Sequence, residues 1–117
     1  MERVLGIGGY FFRAKDPTAL AEWYRTHLGL DTDEFGLWNP AAGPTVFAAF
    51  DSATDYFGSM AQQTMLNFRV ENLAAMLTQL RELGADVAEE TQDMDGVGSF
   101  GWVTDPEGNR VELWQPH

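Results

Sequence analysis

Glu112 is the residue around which chemistry can be built. It lies in the run Arg110-Val111-Glu112-Leu113-Trp114. A period of two puts Arg110, Glu112 and Trp114 on one face of a strand and the apolar Val111 and Leu113 on the other. A carboxylate held beside an indole is a candidate metal ligand or general base; a lone strand carboxylate is also often no more than a solvated face. The chain has no cysteine and two histidines. Thiolate nucleophiles, disulfides and sulfur-bound metals are therefore excluded, and a metal must be held by oxygen or imidazole. His27 falls within a helical pattern and His117 is the last residue. Arg13 and Arg69 are the candidate cations, and Tyr56 or Tyr10 would serve an acid step if Glu112 were a base.

The elements that must position these groups follow from turn and capping chemistry. Asp105-Pro106-Glu107-Gly108-Asn109 is dense in turn formers and lies between two aromatic and β-branched runs, so it predicts a hairpin joining a strand over 99–104 to the Glu112 strand. Residues 4–14 predict a strand, and Asp16-Pro17 an N-cap with proline at the first helical position. Leu20, Trp23, Tyr24 and Leu28 recur at helical spacing until Gly29. Residues 35–39 and 45–50 flank Pro40-Ala41-Ala42-Gly43-Pro44 as a looser hairpin, and 51–63 predict a loop carrying Tyr56 and Phe57. A strand over 64–70 follows. Asn72 caps a helix that Gly84 ends, 86–91 predict another strand, and 92–98 a flexible loop.

At 117 residues the chain is expected to be one domain, 1–117, and its 44% hydrophobic content is that of a globular protein. Eighteen acidic against seven basic side chains give a net charge of −11. Nucleic acid and anionic membrane surfaces, both polyanionic, are disfavoured as partners, and a cationic small molecule would be attracted. An acidic surface also serves solubility alone. The start MERVLGIGGYFF lacks the pattern of a signal peptide and no apolar run is long enough to span a bilayer, so the expected location is cytoplasmic.

The two halves repeat. Phe12-Arg13-Ala14 lies over Phe68-Arg69-Val70, Asp16 over Asn72, Leu20 over Met76 and, past one single-residue gap, Leu28-Gly29 over Leu83-Gly84. Pro40 lies over Pro106 and Val46-Phe47 over Val111-Glu112. A duplicated order of strand, helix and strands predicts an α+β fold of two tandem βαβββ modules, 1–58 and 59–117, each helix covering its own small sheet.

With FFRAKDPTALAEWYRTHLGL, LNFRVENLAAMLTQLRELGA and GWVTDPEGNRVELWQP, the chain resembles the vicinal oxygen chelate superfamily of glyoxalases, bleomycin-resistance proteins and dioxygenases along essentially its whole length. The resemblance implies paired βαβββ modules and, in the enzymes, a divalent metal on four ligands from the first and last strand of each module. Those positions fall on Gly9, Phe47, Met65 and Glu112, of which Glu112 alone is a ligand type. No metal and no other cofactor are therefore expected. The cleft would instead be walled by Phe11, Arg13, Phe47, Met65, Asn67, Arg69 and Trp114, with Trp38, Tyr56, Phe57 and Trp102 lining or covering its mouth. Phe11, Phe47 and Met65 serve equally as a second core that fills the cleft, and Arg13 and Arg69 as partners of acidic neighbours. The leading expectation is a metal-free protein that binds an apolar or aromatic, and by charge a cationic, small molecule. The alternative is a lyase, isomerase or dioxygenase that uses Glu112 as base or holds a metal in an unusual arrangement. The resemblance further implies a homodimer.

Overall fold

The computed structural model describes residues 1–117. Helix α1 spans Pro17–Leu28, followed by β1 Leu66–Arg69, α2 Leu73–Glu82, β2 Asp86–Val87, β3 Gln92–Met94, β4 Gly98–Thr104 and β5 Arg110–Pro116. The mixed α+β class holds. The five strands form one sheet in the order β1-β5-β4-β2, with β3 also on β4. β1 runs parallel to β5, as a crossover through α2 requires, and the other pairs are antiparallel.

Capping sets both helices. The Asp16 side chain accepts from Ala19 N, Pro17 takes the first helical position, and Gly29 closes α1 with φ 70°. Asn72 does the same for α2 through Ala75 N. The predicted hairpin forms between β4 and β5. Its turn is tied by the Asp105 carboxylate, which accepts from Glu107 N, Asn109 N, Asn109 Nδ2 and the Tyr24 hydroxyl. Asp105 is 4% exposed. Burial first, and then this bond to Asp105, push the Tyr24 phenol well above its ordinary value. The Glu107 carboxylate accepts from Lys15 N and Asp16 N, which joins the same turn to the start of α1.

The core is the junction of Leu20, Tyr24 and Leu28 of α1 with Leu73, Leu77 and Leu80 of α2 and with Val103, Val111 and Leu113 of the sheet. Each fully buried leucine there contributes roughly 1.5–3 kcal/mol. Both helices thus share one core on one sheet, where the repeat predicted a sheet for each.

The difference lies in the first half. Residues 4–14, 35–39 and 45–50 are not paired as strands. Within 4–14 and 45–50 no backbone group takes part in a backbone hydrogen bond. With no ladder to hold them, Leu5, Phe11 and Phe47 stand in solvent. Residues 92–98 depart the other way: the expected flexible loop holds β3, which pairs Gln92 with Phe100 and Asp93 with Ser99.

Candidate functional site

β5 lies between β1 and β4, and its alternation does what the sequence predicts: Val111 and Leu113 enter the core, while Glu112 and Trp114 take the opposite face. Register then decides what stands beside Glu112. Asn67 of β1 and Trp102 of β4 are both paired with it. Asn67 Nδ2 donates to Glu112 Oε1 at 2.7 Å and Trp102 Nε1 to Oε2 at 3.1 Å. The Tyr56 hydroxyl also donates to Oε2, at 2.5 Å, although Tyr56 is distant in sequence and lies in the connection that follows residue 50. Glu112 is 7% exposed. A buried carboxylate needs compensation. Here three neutral donors supply it, where the sequence suggested Arg13, Arg69 or a cationic ligand.

The surround is aromatic. The Tyr56 ring meets Trp102 edge-on at 6.1 Å and stacks on Phe50 at 5.7 Å, and Phe50 in turn packs against Phe57. The Arg110 guanidinium lies 5.0 Å from the Trp102 ring centroid and 6.0 Å from that of Tyr56. Trp114 lies parallel to Phe100 at 6.2 Å and donates to the Val97 carbonyl. A Cβ at Gly98 would overlap the Gln115 carbonyl and the Trp114 indole, so only glycine lets this indole seat. Burial first, then the hydrogen bond to Glu112, push the Tyr56 phenol up to about 12, against an opposing pull from Trp102 and Arg110. Tyr56 therefore keeps its proton and remains a donor. With both carboxylate oxygens engaged, the arrangement suits recognition of a donor better than abstraction of a proton.

Two residues that secure this site were not among those expected to form it. The Gln62 side-chain amide donates to the Arg110 carbonyl and accepts from Arg110 N, imitating a neighbouring strand. Arg110 Nε donates to the Tyr56 carbonyl at 3.1 Å. Together they hold the connection 51–63 over the face that carries Glu112. Arg110 had a signal, since period two places it beside Glu112; Gln62, in a loop without periodicity, had none.

The structure gathers Glu112, Asn67, Tyr56 and Trp102, with Phe57 one ring further out, and sets Trp114 on the same strand face. It does not gather the rest. Phe11 is 95% and Phe47 93% exposed, so they form neither a cleft wall nor the second core, because the strands meant to carry them are unpaired. Arg13 is exposed and Met65 half-buried. Arg69 binds the carbonyls of Ala41 and Ala42 in place of an acidic neighbour. Trp38 packs edge-on against Phe68, at a hollow of about 310 Å3 that Arg69 and Met76 also line. A second hollow, of about 560 Å3, lies between α1 and the hairpin turn. Neither includes Glu112. Tyr10 bonds Thr64 and His27 stacks on Trp23, and neither bonds the carboxylate.

The four positions that the resemblance would assign to a divalent cation do not fit one here. Gly9 and Phe47 are exposed and carry no donor. Nowhere do three or more histidine, aspartate or glutamate side chains converge. An oxygen-seeking cation needs several donors at about 2.0–2.6 Å.

A family model described as "Glyoxalase-like domain" matches residues 10–114. Among solved structures, a glyoxylase/bleomycin resistance protein/dioxygenase domain from Frankia sp. EAN1pec aligns with TM-score 0.61 at 16% identity, covering 98% of this chain and 100% of that one. Lactoylglutathione lyase from Agrobacterium tumefaciens aligns with TM-score 0.61 at 21% identity, over 97% and 95% of the two chains. TnmS3, an antibiotic binding protein from Streptomyces sp. CB03234, aligns with TM-score 0.56 at 23% identity, over 89% of each. At these identities the likeness is one of fold. A search of curated proteins found no match.

Proposed function

The chain belongs to the glyoxalase-like domain family, and from that premise we propose that it is a metal-free binding protein for a small apolar or aromatic molecule held on the face around Glu112. One observation carries this reading. The single surviving ligand position, Glu112, has both oxygens turned to protein N–H and O–H donors in an aromatic surround, which is the make-up of an organic-ligand site. A neighbour whose title calls it an antibiotic binding protein supports a binding role. An enzyme with Glu112 as base gains less support, since Tyr56 holds its proton and the carboxylate is engaged.

Calorimetry against a panel of neutral and cationic aromatic compounds, run beside elemental analysis of the purified protein, tests the proposal. Saturable binding that weakens in W102A, with no stoichiometric transition metal, supports it. No binding across the panel, or one metal per chain, overturns it.

The two-module division at 1–58 and 59–117 and a homodimer belong to the same reading. Val4, Leu5, Phe11, Val46 and Phe47 are each exposed, and large apolar side chains left in solvent are what a second copy would cover. Sedimentation velocity on serial dilution should give a dimer; a monomer at every concentration removes it.

A further inference from the structure

Three donors hold Glu112, and they differ in what holds them. Asn67 and Trp102 belong to strands paired in register with β5, so the ladder keeps them in place. Tyr56 belongs to the connection 51–63, which contains neither helix nor strand. It is the donor that can leave without breaking a ladder.

The seat it occupies has a definite chemistry. The ring lies edge-on to Trp102, against Phe50 and beneath the Arg110 guanidinium, while its hydroxyl meets a carboxylate oxygen. Each contact recognises one property of a phenol: a π-face for stacking and for a cation, and an acidic O–H for a carboxylate. The cation position against the rings is taken by the protein's own Arg110, so a positively charged guest would meet like charge there.

Resting on the reading of this face as a small-molecule site, we infer that its ligand is a neutral hydroxylated aromatic whose O–H replaces that of Tyr56 on Glu112. Tyr56 is the intramolecular stand-in for that ligand. Gln62, bound to the backbone of Arg110, anchors the far end of the connection and keeps Tyr56 close by. A tethered competitor of this kind acts at an effective concentration on the order of millimolar. A single-ring phenol therefore displaces it poorly, and a fused-ring phenol, with more apolar area to bury, displaces it well.

The test is calorimetry at neutral pH with 6-hydroxyquinoline, quinoline and N-methylquinolinium, on the wild type, Y56A and Y56A/E112Q, each first checked for native circular dichroism. Y56A should bind 6-hydroxyquinoline about tenfold more tightly than the wild type and about tenfold more tightly than it binds quinoline, the worth of one charge-assisted hydrogen bond. E112Q should erase most of that preference. If the probes bind but Y56A shows no preference for the hydroxyl, or N-methylquinolinium binds best, the inference is overturned while the small-molecule reading stands. No binding of any probe overturns the inference, and the broader panel then decides the wider reading. Should Y56A fail to fold, Y56F keeps the ring and drops the competing hydroxyl. It should still bind 6-hydroxyquinoline more tightly than the wild type, and equal affinity overturns the inference.

Discussion

Residues 35–50 and 99–114 both read as strand, turn and strand, yet only the second pair closes into a hairpin. The turns differ in what they can bond. In the second, Asp105 accepts from Glu107 N, Asn109 N and Asn109 Nδ2, and Asp105 N donates to the Asn109 carbonyl, so the turn is closed by its own side chains. Pro40-Ala41-Ala42-Gly43-Pro44 has no side chain able to do this, and Pro44 brings no N–H to the strand that would follow. Its carbonyls are taken by Arg69 of the other half. A repeated apolar pattern thus proposes strands, and the turn between them decides whether they pair.

The contrast is broken most directly in the core. L113A should lose about 2–5 kcal/mol in urea unfolding, because Leu113 is 0% exposed. F47A, at the repeat position of Glu112 but open to solvent in the single chain, should change stability by less than about 0.5 kcal/mol at dilutions where the protein is monomeric. A comparable loss in F47A would mean that the first half packs as the second does.

Next comes the turn. D105A should cost about 1–3 kcal/mol in the same assay, since it leaves the buried Tyr24 hydroxyl without its acceptor. Grafting Asp-Pro-Glu-Gly-Asn onto 40–44 sharpens the point: amide protection should rise over 45–50, and its absence would show that the turn is not what withholds the strand.

The clamp on 51–63 is weaker. Q62A should cost about 1 kcal/mol and speed proteolysis within that connection, with 98–116 unaffected.

The last effect appears only in alkali. The Tyr56 phenol is raised from 10.0 to about 12, so the folded state holds this proton more tightly than the unfolded chain does. The resulting stabilisation is complete below about pH 10 and is lost as the pH rises toward 12. Near-ultraviolet titration should show a tyrosine with its midpoint near 12 that disappears in Y56F. An ordinary midpoint would separate Tyr56 from Glu112.

Much of this was open to reading along the chain because it depends on neighbours in sequence. Caps at Asp16 and Asn72, the turn at Asp105 and the alternation that turns Glu112 away from Leu113 are local geometry. Tertiary structure alone decided the rest. Glu112 is satisfied by Asn67, Trp102 and Tyr56, which are remote or on other strands and reach it only through register. That the two helices share one sheet, and that Phe11 and Phe47 remain outside it, follows from which backbones find partners. Periodicity says which face a side chain takes; hydrogen bonding between distant strands says whether that face is covered.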